Sequence, residues 1–406
     1  MKEPQPPWSR LRPLPVVFVI GLFFVLWWRQ PSTKAKVPAA APQSDAVATG
    51  DVHGKDPSSS SKTLPPAADA AVTSRELSEE DGLSVLALSG VAMGTTWNVR
   101  VVGRQDATDA DTVGASIVAA LDAVDKAMST YRPDSELSQL NRLAGGKTMQ
   151  LSPATATVLA AALRLSEQSE GAFDVTVGPL VRAWGFAAKT TDKPPSADVV
   201  KALRERVGFR LVDLDPESGR VTKRVDGVEI DLSAIAKGYA VDMVAAALTA
   251  AGHSRFLIEV GGEVVAAGLA PGERAWRLGV ERPDADPGTV QEVALMTSGA
   301  LATSGDYRNV RVLGGKRYSH TIDPRTGAPV KHALASVSVR AKTCTEADGM
   351  ATTLAVLGPT AGMAFAHRLQ VAAFFLVRRD DGSFDQRATP QWQAANDLVH
   401  DHVPPE

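Results

Sequence analysis

A single cysteine, Cys344, in 406 residues excludes an intrachain disulfide framework and any zinc-finger spacing. A lone cysteine is more often a small buried hydrophobe than a nucleophile, so Cys344 is assigned no chemistry. An excess of one charge sign is also lacking. The 43 Lys and Arg against 46 Asp and Glu leave a formal net charge of −3, so no basic field argues for nucleic acid. No Walker A loop, dinucleotide fingerprint, H-E-x-x-H or G-x-S-x-G motif occurs, and no internal repeat is evident. What is present is an ordinary globular composition, 44% hydrophobic and 22% charged. The chain is long enough for a large core and two subdomains.

Residues 14–28 read L-P-V-V-F-V-I-G-L-F-F-V-L-W-W, without a charge. As a helix at about 1.5 Å per residue this run spans about 23 Å, short of a ~30 Å hydrocarbon core. Trp27 and Trp28 suit an interfacial belt, and Arg12 and Arg29 are placed to snorkel at either end. Lys2, Arg10 and Arg12 precede the run as in a signal n-region. Arg29, Lys34 and Lys36 follow it, so the distribution of positive charge alone does not set the orientation. No cysteine lies just after it, which excludes a lipoprotein anchor. Ala39-Ala40-Ala41 is distant from the run and is followed by Pro42. Residues 1–30 therefore read as an uncleaved membrane signal-anchor rather than a cleaved signal peptide. Residues 31–82 are rich in Pro, Ala, Ser, Asp and Lys and cannot offset their ordering entropy by burial. They read as a disordered tether to a folded domain over residues 83–395.

Within that domain, strands are expected over residues 85–102, broken at Gly94. Helices are expected over 109–128, from an N-cap at Ser152 to about 167 with a stop at Gly171, and over 196–207. Strands follow at 210–214 and 228–232, then an apolar helix over 233–251 ending at Gly252. Strands at 256–260 and 264–267 flank Gly261-Gly262. Residues 277–340 read as short strands and turns. Thr343-Cys344-Thr345-Glu346 matches a capping box, so a helix opens there and runs to about 357, before Gly358. A last strand covers 369–377. Strands and helices occur in blocks, which favours an α+β class over a repeated βαβ unit.

The chemistry-bearing phrases are scattered. Asp348 and Thr352 are spaced i,i+4 and share a helix face. A carboxylate and a hydroxyl so placed suit a hard cation such as Mg²⁺, although a solvated Asp and a helix-facing Thr would share that spacing. In Asp231-Leu232-Ser233-Ala234-Ile235-Ala236-Lys237-Gly238 an acid ends a strand and a lysine falls one turn into a helix. That is the pattern of a phosphate cradle, with Asp231 equally readable as an N-cap. Backbone carbonyls at that junction, including that of Ala234, are further oxygen donors. Lys237 sits in an otherwise apolar helix, where a lysine needs a partner. Ala172-Phe173-Asp174 leads a glycine-bounded loop, and Tyr131 in Ser129–Glu136 is placed to stack on a heterocycle. Met93 beside Gly94 suits contact with a flat ring. Glu259-Val260-Gly261-Gly262-Glu263 and Thr303-Ser304-Gly305-Asp306-Tyr307 are glycine turns carrying acids. His320, in Ser319-His320-Thr321-Ile322-Asp323-Pro324-Arg325-Thr326-Gly327, supplies an imidazole that titrates near neutrality.

Taken in order, these phrases make the chain resemble the ApbE family of FAD:protein FMN transferases over residues 85–377. The resemblance implies a T-fold-like α+β architecture of two subdomains with the flavin site between them. It implies FAD as substrate and Mg²⁺ as cofactor, with FMN passed to a Thr or Ser hydroxyl of a target protein and AMP released. By position, Met93, Tyr131, Ala172, Phe173, Asp174, Asp231, Lys237 and His320 are the implied FAD contacts. The Ala234 carbonyl, Asp348 and Thr352 are the implied metal ligands. His320, Lys237 and Asp306 are the candidate catalytic groups. The expected partners are FAD, a flavoprotein subunit of a membrane redox complex, and the membrane itself, with the domain on the periplasmic side of a bacterial inner membrane. An FAD pyrophosphatase and a non-catalytic FAD-binding maturation factor are the competing readings.

Overall fold

The computed structural model describes residues 69–103, 109–186, 193–286, 288–306, 310–313 and 315–402. The expected anchor, most of the expected tether and Tyr307 lie outside the described residues.

Nine strands make one sheet in which spatial order follows chain order. They are β1 (Ala71–Glu80), β2 (Leu83–Ala92), β3 (Thr95–Gly103), β4 (Phe256–Val260), β5 (Glu263–Ala267), β6 (Ser298–Gly305), β7 (Leu334–Ala341), β8 (Ala372–Arg378) and β9 (Phe384–Ala388). Every neighbouring pair is antiparallel, so the expected α+β class holds. Three helices cover one face: α1 (Ala110–Met128), α2 (Ala236–Ala250) and α3 (Cys344–Arg368). Their apolar stripes and the sheet share a core built around Trp97, Ile117, Leu121, Val244, Leu354 and Phe375. The hairpin Trp276–Glu281 with Val290–Met296 and the helix Pro390–His402 cover the other face. There Trp392 stacks on Phe374 at 5.5 Å between ring centroids. A small subdomain inserted between α1 and α2 carries a three-stranded sheet of Thr148–Gln150, Arg220–Lys223 and Val212–Asp215.

Local signals set many boundaries. Ser152 Oγ accepts from Thr155 N–H, and Thr343 Oγ1 accepts from Glu346 N–H, so both expected helix starts are capped by side chains. Met93 (φ +52°) and Gly94 (φ +72°) form the tight turn between β2 and β3. Four expectations are corrected. Residues 71–80, assigned to the tether by composition, form the edge strand β1, paired from Ala71 opposite Val91 to Glu80 opposite Leu83. An edge strand takes its order from backbone pairing and needs no second apolar face. Residues 228–232 form no strand. They are pinned instead by Asn141, whose Oδ1 accepts from Ile230 N–H at 2.7 Å and whose Nδ2 donates to Ile230 O at 2.8 Å. α2 starts at Ala236 rather than 233, because residues 233–235 form a turn that Asp231 closes by accepting from Ser233 N–H at 2.9 Å. Gly358 does break helical geometry (φ 78°, ψ −176°), with Pro359 after it, yet α3 resumes and runs to Arg368. Beyond the last expected strand, β9 and the helix Pro390–His402 complete the fold.

Register brings one end of the sheet to the functional residues. Trp97 faces Val260, Leu301 faces Val264, and Gly305 faces Ser336. The turns Met93-Gly94 and Gly261-Gly262 and the end of β6 therefore lie together. Gly261 (φ +59°) has room for no side chain, since a Cβ there would sit 2.9 Å from Thr95 Cγ2.

Candidate functional site

At that sheet end the first turns of α2 and α3 meet. Gly238 allows the approach, because a Cβ there would lie 2.2 Å from Cys344 O and 2.8 Å from Asp348 Cβ. Gly238 N–H donates to Asp348 Oδ2 at 3.0 Å. In a regular helix that amide would bond the Ala234 carbonyl; redirected to Asp348, it leaves the carbonyl to other partners. Asp348 is 3% exposed, and its second oxygen, Oδ1, lies 3.9 Å from Lys237 Nζ. Lys237 makes its close ion pair with Glu263, at 2.6 Å. Glu263, on β5 just past the glycine turn, is buried like Asp348. Thr352, one turn further along α3, places Oγ1 3.4 Å from Ser304 Oγ at the end of β6.

Two buried carboxylates thus face one ammonium. Burial pushes Glu263 up to about 8, with the Lys237 ammonium opposing and Asp348 reinforcing the rise. Burial also raises Asp348, against the Lys237 charge and the Gly238 amide. Burial works against the Lys237 charge, but Asp348 and Glu263 outweigh it and hold the ammonium protonated. The cluster sets two acids against one lysine, and the raised Glu263 meets the excess by holding a proton. Asp348, Thr352 and the Ala234 carbonyl are all hard oxygen donors, a set that suits Mg²⁺. Cys344, fully buried in the same seam, has its thiol pushed up by burial and stays inert.

The other expected residues fall into two groups. Tyr131 is 58% exposed, held out from a loop that folds on itself through Ser135 Oγ donating to Ser129 O at 2.6 Å. Partial burial raises its phenol, and the Asp231 carboxylate adds to the rise. His320 meets Phe186 edge to face at 6.5 Å. Its neighbour Thr321 lines a small cleft with Ser304, Gly305 and Asp306. Through Ser304 that cleft joins the Thr352 wall. Met93 packs against the core from its turn. The side chains of Ala172 and Phe173 are instead buried, at 1% and 2% exposure. Both oxygens of Asp174 are used within the chain: Oδ1 accepts from Thr176 N–H at 2.8 Å and Oδ2 from Phe209 N–H at 2.7 Å. Burial raises this carboxyl, and those hydrogen bonds oppose the rise. Asp306 faces the Arg378 guanidinium at 3.3 Å. Reading by phrase assigned no role to Glu263, Ser304 or Asp242. The available signal was an acid directly after a glycine turn that ends a buried strand.

The fold and site define an α+β protein with an oxygen-rich, lysine-bearing cluster where two helix N-termini meet a sheet end. The family model that matches, over residues 93–375, is that of the ApbE family. A Vibrio cholerae protein named FAD:protein FMN transferase is 41% identical over 296 residues, 73% of this chain and 88% of that protein. The solved structure of the flavin transferase ApbE from Vibrio cholerae aligns at a TM-score of 0.71 and 38% identity, covering 79% of this chain and 99% of that one. The apo Pseudomonas stutzeri flavinyl transferase ApbE aligns at 0.70 and 36% identity, covering 79% and 97%. The chain belongs to the ApbE family and is an enzyme.

Proposed function

We propose that this enzyme transfers the FMN moiety of FAD to a Thr or Ser hydroxyl of a target flavoprotein and releases AMP. The observation that supports it most is the half-buried Lys237 in the first turn of α2, facing the buried Glu263 and Asp348. The second acid of this group, which holds a proton beside the single lysine, could exchange that proton for a cation, while the ammonium and the positive end of the helix dipole attract a pyrophosphate. Asp348, Thr352 and the Ala234 carbonyl would hold Mg²⁺, which when bound withdraws charge from the pyrophosphate oxygens. Tyr131, Asp231 and Met93 border the space for the flavin and nucleotide. Ala172, Phe173 and Asp174 contribute backbone and loop shape there, since their side chains are engaged elsewhere.

In the reaction, the target hydroxyl oxygen bonds to the FMN-side phosphorus. The bond from that phosphorus to the bridging oxygen breaks, and AMP leaves with that oxygen. The hydroxyl proton passes to the His320 imidazole. Lys237 moves from Glu263 to the phosphate oxygens and offsets the charge that develops there. Asp306, held by Arg378, orients the cleft beside Thr321 rather than taking the proton. The chain is held at the periplasmic face of an inner membrane by residues 1–30, within reach of a flavoprotein subunit of a membrane redox complex.

The test is incubation of the full chain with FAD, Mg²⁺ and a candidate acceptor, read by in-gel flavin fluorescence. Protein-bound FMN is the expected product; free FMN and AMP alone would establish a pyrophosphatase instead, and bound FAD with no AMP a carrier. Asp348→Ala is expected to lower transfer by at least about 100-fold. Full activity in that variant would refute the metal assignment.

A further inference from the structure

α2 and α3 cap each other. Four residues of each helix would present unbonded amides at its N-terminus without outside acceptors. Gly238 of α2 gives its amide to Asp348 of α3. One turn further along α2, Asp242 returns the arrangement. Its Oδ1 accepts from Cys344 N–H at 2.8 Å, and its Oδ2 accepts from Thr345 N–H at 2.9 Å and from Thr345 Oγ1 at 2.5 Å. Thr343 Oγ1 takes the next amide, that of Glu346, at 3.2 Å. The two acids therefore clamp a contact that the absent Gly238 side chain has already made close. Among the described residues its hydrogen bonds go to Cys344 and Thr345 and to no group assigned to FAD or cation, and only its charge is felt at Asp348. Its bonds instead set where the first turn of α3 lies, and so where Asp348 stands relative to Ala234 at the start of α2.

We propose that Asp242 is a positioning residue for the cation site: it holds Asp348 of α3 and the Ala234 carbonyl of α2 at one fixed separation. This rests on the cation reading above. A carboxylate rather than an amide is required, because both oxygens accept from the same helix end. Thr343 caps the same helix from within the same segment and makes no bond to α2, which makes it the matched control.

The experiment is Mn²⁺ binding to the full chain without FAD, followed by electron paramagnetic resonance of the free ion, with Tm measured on the same samples. Asp242→Ala is expected to raise the Mn²⁺ Kd about 10–100-fold, and Asp242→Asn, which keeps one acceptor oxygen, to raise it less. Thr343→Ala is expected to lower Tm and leave Kd unchanged. If Asp242→Ala lowers Tm but keeps the wild-type Kd, Asp242 is only a helix cap and the proposal falls. Where Asp242→Ala does not fold, an unchanged Kd in Asp242→Asn overturns it equally. Absence of Mn²⁺ binding by the wild type would sink the cation reading and this inference with it. Binding by the wild type with equal Kd in the Asp242 variants would sink this inference alone.

Discussion

Gly238→Ala tests the packing on which the site depends. In an exposed helix interior, alanine would be favoured over glycine by about 0.8–1.0 kcal/mol. Here the new Cβ would sit 2.2 Å from Cys344 O, 2.6 Å from Cys344 C and 2.8 Å from Asp348 Cβ. Two of these atoms are backbone and the third is fixed to it, so no rotamer change relieves the clash. The helices must separate by about an ångström to reach ordinary contact. Overpacking of this kind costs about 1–3 kcal/mol, and rigid obstacles place it at the upper end. The net loss is then about 2 kcal/mol, or about 3 °C in Tm for a fold of this size. Separation also draws the Gly238 amide from Asp348, so FMN transfer falls further than stability does. Gly349→Ala is the comparison: its Cβ would meet Leu165 Cδ2 at 2.9 Å, the mobile end of a side chain. That variant is expected to be near neutral. Urea and thermal unfolding of both variants decide the matter. A Gly238→Ala protein as stable as the wild type, or more so, would refute the reasoning.

Two further outcomes follow from the buried carboxyls. Glu263 holds its proton up to about 8 in the folded chain against an ordinary 4.5. The native state therefore binds more protons than the unfolded one across that window, and stability falls as pH rises from 4.5 towards 8, levelling off above. Glu263→Gln is expected to flatten this part of the profile, read from urea midpoints between pH 5 and 8.5; an unchanged slope would show that another group carries it. Asp174→Asn removes one of two acceptor oxygens that hold Thr176 and Phe209. It is expected to cost about 1–3 kcal/mol of stability with little change in the KM for FAD, and a large KM rise at wild-type Tm would instead make the side chain a substrate contact.

Much of the fold was legible where a signal is local. Ser152 and Thr343 are followed by apolar periodicity, and each caps the helix it announces. Gly94 and Gly252 stop elements because their positive φ suits glycine. The misreadings share one cause, that order came from a distant partner. β1 has too few apolar residues to signal a strand and is ordered by β2. The 228–232 segment has the β-branched residues of a strand, but its hydrogen bonds come from Asn141, 89 residues before Ile230, and from the Val175 carbonyl, which accepts from Asp231 N–H. Asp231 has the chemistry of a helix cap, yet closes a turn that delays α2 by three residues.

The same division runs through the site. Residue type and order alone determined the family, the α+β class and the oxygen-rich character of Asp348, Thr352 and Ala234, because donor chemistry is a property of each residue. Only the tertiary structure decided which acids matter together. Glu263 lies 26 residues beyond Lys237 and closer to its ammonium than Asp348 does. Asp174 and Asp306 are drawn into bonds with Phe209 and Arg378. Asp242 reaches the next helix, 102 residues away. Pairing energies depend on distance and burial, and neither is set until the sheet register brings those turns to one end.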